Sequence, residues 1–213
     1  MDDKSNRGRI LASAADLFLK FGIRSISMDD IAHQLGISKK TIYQHFSDKD
    51  DIVTQVMEAH LAHEREAIQS LKTRATDAVD LLIGINLYLR RNLRETTTSM
   101  LRELQKYHNK AWSLMDDFKK EFIYEIILEN LTTGIQDGYF RNDINPAVTS
   151  RIRLEGVSMA FNEDVFPKGK FNLIEVSDSI LDHFILGITT EKGRKLYMRY
   201  KNQQEKSALN EHA

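Results

Sequence analysis

Lys39, Lys40, Thr41, Tyr43, Gln44 and His45 crowd into one short stretch of this chain. Lysine, threonine, tyrosine and histidine donate to phosphate oxygens, and a glutamine amide pairs bidentately with adenine. A helix surface that only has to stay solvated uses charge, and has little need of Tyr, Thr, Gln and His beside two lysines. The chemistry this stretch offers is recognition of a polyanion. The plainer alternative is a short exposed helix in a helical protein that never meets a nucleic acid.

Other constellations offer less. His60, His63 and Glu64 share a helix at i, i+3 and i+4, enough in principle for two metal ligands. Neither His-Glu-x-x-His nor Glu-x-x-His occurs there, so a solvated helix face accounts for them. Gly156-Val157-Ser158-Met159-Ala160 has the serine of a nucleophile elbow but lacks the second glycine and lies in a helical pattern. The chain has no cysteine, which removes disulfides, thiol catalysis and zinc–thiolate sites. With no phosphate-binding glycine loop either, the expectation is a protein without catalytic residues, metal or cofactor, and not an enzyme.

The elements that would position the polar cluster are legible around it. Ser27-x-x-Asp30 fits a helix N-cap with an acid three residues on. Met28, Ile31, Ala32 and Leu35 then share one helical face. Gly36 follows where the backbone needs a positive φ, and Ser38 caps the next helix, with Ile37 and Ile42 turned inward. Ser47-x-x-Asp50 reads as a second capping box opening a third helix, with Lys49 near its positive end. Upstream, a helix from about Asn6 to Phe21 presents Ile10, Ala14, Leu17, Phe18 and Phe21 on one face. This is the layout of a helix-turn-helix whose second helix enters the major groove.

The run Ile31-Ala32, Gly36-Ile37-Ser38, Thr41-Ile42-Tyr43-Gln44-His45-Phe46 and Lys49 resembles the DNA-binding signature of TetR-type transcriptional regulators. The resemblance covers residues 5 to 55 most strongly. Lys40 departs from it, standing where a small residue is frequent, and Ser27 stands where threonine is usual. A weaker likeness lies in the stretch from Gly134 to Pro146. The resemblance implies a homodimer on double-stranded operator DNA, released by a small-molecule effector. Lys39, Lys40, Thr41 and Gln44 would read base edges. Ser27, Ser38, Tyr43, His45 and Lys49 would complete the DNA-binding set, Tyr43, His45, Lys49 and the Ser27 cap holding phosphates.

Composition agrees with an all-α fold: 213 residues, 41% hydrophobic, two prolines and 8% aromatics. The net charge of −1 does not advertise a nucleic-acid binder. Any electropositive face must therefore be local. No apolar run is long enough to span a membrane and the stretch MDDKSNRGR lacks the apolar core of a signal peptide, so the expected location is the cytoplasm and no membrane partner is expected.

Beyond Ser47 the pattern predicts helices over 48–71, 77–94, 97–108, 111–137, 146–161, 173–188 and 191–205. The expected domains are a helix-turn-helix unit over 1–50, a helical effector-binding and dimerisation unit over 51–205, and an unstructured tail over 206–213. The resemblance places the dimer interface on 146–161 and 173–188, with Ile152, Met159, Ile180 and Phe184 as candidate contacts. Tyr88, Met100, Tyr107, Trp112, Met115, Phe118 and Phe122 are candidates to line an effector pocket, although at helical spacing each also reads as ordinary core. The leading expectation is a ligand-released repressor on a palindromic operator. The alternative is a helical bundle that binds a small molecule or protein, its helix-turn-helix vestigial.

Overall fold

Gly36 sets the sharp turn that divides the helix-turn-helix. In the computed structural model it adopts φ 64°, ψ 33°, and its N–H bonds back to the carbonyls of Ala32 and His33. A side chain there would be strained, and glycine is not. The structure describes residues 3–93, 98–167 and 169–210, with side chains over 6–90, 100–167 and 169–203.

Eleven α-helices are formed among the described residues: α1 Asp3–Phe21, α2 Met28–Leu35, α3 Lys39–Tyr43, α4 Lys49–Arg74, α5 Ala78–Leu93, α6 Thr98–Tyr107, α7 Asn109–Asp117, α8 Tyr124–Gln136, α9 Pro146–Ala160, α10 Leu173–Ile188 and α11 Glu191–Asn210. A π-helical turn, Phe118–Ile123, joins α7 to α8. The only extended pairing among the described residues is the isolated antiparallel bridge Phe140–Thr189. The chain is all-α. The single helix expected over 111–137 is thus α7, the π turn and α8 in succession. Helix α11 runs to Asn210 instead of ending near 205, and the last residues of the expected tail, 211–213, lie outside the described ones.

Two compact units divide the chain. The first comprises Met1–Glu66 and Asn92–Phe118, the second Ala67–Arg91 and Lys119–Ala213. The division differs from the expected boundary at residue 50. Helix α4 continues through that point without a break, and α6 and α7 belong with the first unit because Leu104 and Ala111 are buried in its core. That core gathers Ile10, Ala14, Phe18, Ile31, Ile42, Phe46 and Ile52. Phe21, expected on the buried face of α1, is 62% exposed. It is the last residue of the helix, and Ile23 and Ile26 beyond the turn are buried instead.

The second unit has its own core, built on Val79, Leu82, Leu131, Phe140, Leu154, Leu181 and Ile185. Gly134 matters here for closeness, not for φ: a Cβ on it would fall 2.2 Å from the Phe140 ring. The absence of that methyl lets the turn after α8 fold back over the helix. Asn145 caps α9 by accepting from the N–H groups of Ala147 and Val148, with Pro146 at the first helical turn. Asn172 caps α10 in the same way.

Candidate nucleic-acid interface

The recognition element is α3, and small polar side chains fix its start. Ser38 Oγ accepts from Thr41 N at 3.1 Å and lies 2.9 Å from Thr41 Oγ1. Ile42 is fully buried beneath the helix and anchors it to the core. Helix α2 is opened by a complete capping box: Asp30 N donates to Ser27 Oγ, while Ser27 N and Oγ donate to Asp30 Oδ2 at 2.8 and 2.6 Å. Those two bonds hold the Asp30 carboxyl below its ordinary range. The box expected at Ser47–Asp50 is shifted by one residue. Asp48 Oδ1 accepts from Asp51 N at 2.8 Å, and Ser47 N donates to Asp51. Asp50 instead meets His108, whose Nδ1 lies 2.6 Å from Asp50 Oδ1.

The nine expected DNA contacts therefore do not stand alike. Lys40, Tyr43 and Gln44 are exposed, and among the described residues the side chains of Lys40 and Gln44 have no intramolecular hydrogen bond. Gln44 sits just past the last turn of α3, as its C-cap. Lys39 is exposed but pairs with Asp29 at 2.9 Å, a bond that raises its pKa. Ser27, Ser38 and Thr41 spend their hydroxyls on the caps. His45 is half-buried, its ring tilted 59° against Phe46 at 6.4 Å. Lys49 is half-buried at the start of α4; desolvation lowers its pKa, opposed by Glu103 and Asp30.

Sequence reasoning missed what holds this element from the other side. Glu103 of α6 accepts the backbone N–H of Arg24 at 2.9 Å, and the Arg24 guanidinium lies 5.7 Å from the Tyr107 ring centroid. With His108 on Asp50, the α6–α7 pair grips both the turn before α2 and the start of α4. No local pattern announces contacts between residues so far apart in the chain.

The seven expected pocket residues fall in both units. Met100, Trp112 and Met115 pack against the core of the first unit, and Tyr107 is half exposed. Phe118 carries the Arg65 guanidinium at 5.5 Å. In the second unit Phe122 is buried on the π turn and Tyr88 is half-buried on α5. The four expected interface residues, in contrast, come together. Ile152, Met159, Ile180 and Phe184 line one groove between α9 and α10. His60 and Glu64 approach only to 4.0 Å, and no cluster of three or more His, Asp or Glu among the described residues could hold a metal. No helix among them is long and apolar enough to cross a membrane.

Comparison with known proteins accords with this geometry. Residues 10–56 match the N-terminal model of the bacterial regulatory proteins of the tetR family. The helix-turn-helix-type transcriptional regulator YvaF of Bacillus subtilis (strain 168) is 30% identical over 185 residues, covering 86% of this chain and 96% of that one. A helix-turn-helix-type regulator of Staphylococcus aureus (strain USA300) is 26% identical over 63% of this chain and 82% of its own. Among solved structures, a TetR-family regulator from Agrobacterium tumefaciens superposes with a TM-score of 0.71 at 19% identity, covering 89% of this chain and all of that one. A regulator from Saccharomonospora viridis, solved in complex with choline, also gives 0.71 at 21% identity over 88% of this chain and 100% of its own. These relatives are transcriptional regulators. The chain belongs to the TetR family of DNA-binding transcriptional regulators.

Proposed function

We propose that the protein is a homodimeric repressor that binds a palindromic operator and is released from it by a small-molecule effector. The exposed apolar face of α9 and α10 carries this reading. Ile152 is 60% exposed, Val148 54%, Met159 41% and Leu186 39%. Apolar side chains grouped this way on two neighbouring helices mark an interaction surface. A second copy laid on the same face would form a four-helix interface with two-fold symmetry.

One α3 element reads one half-site. A two-fold pair reads two, with centres about 34–36 Å apart or a multiple of that. We assign Gln44 to base edges and Lys40 and Tyr43 to the flanking phosphates, which moves Lys40 from the base-reading role that the resemblance implies, and Lys39 joins them on leaving Asp29. Effector release is a population shift: a ligand that prefers another spacing of the recognition helices lowers operator affinity by its differential affinity. The choline-bound neighbour supports the idea that this fold accommodates a small molecule.

The experiment is selection of random duplex DNA on the purified protein, followed by sequencing. Enrichment of an inverted repeat is the expected result. Enrichment of a single half-site would remove the dimer, and no enrichment at low salt with folded protein would leave α3 without a recognition role.

A further inference from the structure

Arg7 stands in the second turn of α1 and is exposed. Its Nη2 donates to Gln55 Oε1 on α4, and its guanidinium carbon lies 5.7 Å from the centroid of the Phe46 ring. Gln55 is itself held in place: its Nε2 donates to Asp51 Oδ1 at 2.5 Å. Asp51 in turn accepts from the backbone N–H of Ser47 at 3.0 Å. The relay Arg7–Gln55–Asp51–Ser47 ties the start of α1 to the turn that follows the recognition helix. No local pattern in α1 marks Arg7, because its partners lie far along the chain.

The tether orients the guanidinium without neutralising it. Gln55 is uncharged, and among the described residues no carboxylate pairs with Arg7. One of the five guanidinium donors is spent on Gln55. The lysines around α3 are committed differently: Lys39 pairs with Asp29, and Lys49 is half-buried close to Glu103 and Asp30. Position points to the same role. Helix α3 has five residues and is about 7.5 Å long, whereas the major groove is about 12 Å wide. Side chains just beyond its ends therefore stand beside the groove walls, which are lined with phosphate. Phe46 follows shortly after the C-cap Gln44, and Arg7 covers its ring. Asp48 and Asp51 belong to the same turn, each bound to a backbone N–H. Two carboxylates there repel a polyanion unless a cation offsets them.

We infer that Arg7 is a further DNA-binding residue, whose guanidinium takes a backbone phosphate of the operator beside the C-terminal end of α3. The planar fork matches two phosphate oxygens at once. A backbone contact carries no sequence information, so Arg7 contributes register and affinity while Gln44 contributes preference. Arg7 adds to the nine contacts expected from sequence, and its role rests on α3 being the recognition helix.

The test is binding of the full-length protein to two duplexes at several salt concentrations. One duplex is that enriched by the selection above, and the other is a mixed-sequence pool of the same length. Arg7→Gln can still donate to Gln55 and cover Phe46, so it removes the charge alone. It should weaken both duplexes about fivefold or more and flatten the salt slope by about 0.9 per half-site. Arg7→Lys should keep the wild-type slope. A slope unchanged in Arg7→Gln would overturn the inference and leave Arg7 as a cover for Phe46. A loss confined to the enriched duplex would overturn it too, by making Arg7 a base reader. Should Arg7→Gln fail to fold, the guanidinium resonances of the wild type decide. A shift of the Arg7 signal with the mixed-sequence pool, reversed by salt, supports the contact; no shift overturns it. A wild type that binds neither duplex would end the recognition reading as well, whereas a wild type that binds while Arg7→Gln keeps its slope ends this contact alone.

Discussion

The two units bury different things. The first keeps a small apolar interior, from Ile10 to Ala111, and places its working polar groups outside, on α3 and the caps. The second takes polar groups inside, with Arg153, Asn86 and Ser177 all buried, and leaves Ile152 and Met159 in the open. The contrast follows from the task. A recognition helix has to be held rigidly, and a dry core with satisfied caps does that. A surface that meets a second copy or a ligand has to leave apolar area and charge unspent until the partner arrives.

The largest expected effects would break the comparison by hollowing one unit at a time. Phe46 and Phe140 are each 1% exposed, one in each core. Truncation of a buried phenylalanine costs about 3–5 kcal/mol. Phe46→Ala should abolish duplex binding and leave self-association intact. Phe140→Ala should abolish self-association, leave the first unit folded, and reduce operator binding to that of a single half-site. Calorimetric melting with sedimentation and gel-shift measurements checks both, and loss of self-association in Phe46→Ala as well would show that the units do not act separately.

Next in size is Ile152→Asp. At 60% exposure it should change the stability of the isolated chain by no more than about 0.5 kcal/mol. Set in the middle of a two-fold interface, it should weaken self-association by about 2 kcal/mol or more. Sedimentation equilibrium reads the difference, and an unchanged dimer would place the second copy on another face.

Operator contacts sharpen the first half of the comparison. Gln44→Ala should reduce discrimination at one base position by about 1–3 kcal/mol. Lys40→Ala should instead weaken all duplexes alike and flatten the salt slope by about 0.9 for one lost phosphate contact. Lys49→Ala should have a smaller effect than Lys40→Ala, since Lys49 is half-buried close to Glu103 and Asp30. Binding isotherms at several salt concentrations separate the three, and a larger loss at Lys49 would reverse the assignment.

How much of this was legible in the sequence depended on the range of each signal. Ser27, Gly36, Ser38, Asn145 and Pro146 act within one turn of where they stand, so α2, α3 and α9 begin where those residues place them. Helices α9 and α10 also kept the apolar residues that suggested an interface, and four of them meet in one groove. The attachment of α6 and α7 to the first unit was not legible, because Arg24–Glu103 and Asp50–His108 join residues far apart in the chain. For the same reason Met100, Trp112 and Met115 read as pocket candidates while packing against the helix-turn-helix core. The off-by-one cap at α4 has a different cause. Ser47 and Asp48 are both good N-caps, and Asp50 has an outside partner in His108, leaving Asp48 to cap.

The smallest effects test the caps that make the first unit rigid. Ser27→Ala removes the acceptor for Asp30 N and one donor to its carboxylate, and loss of such a cap costs about 0.5–2 kcal/mol. The sign with pH follows from Asp30, whose folded pKa lies below the unfolded value of about 3.9. Its contribution is complete above that unfolded value and disappears as pH falls through the lower folded one. Wild type and Ser27→Ala should therefore differ most at neutral pH and converge in acid, below about pH 4. Melting curves of the two proteins from pH 7 downward measure this. A difference that stayed constant into acid would mean that the serine hydroxyl caps α2 without help from the Asp30 charge.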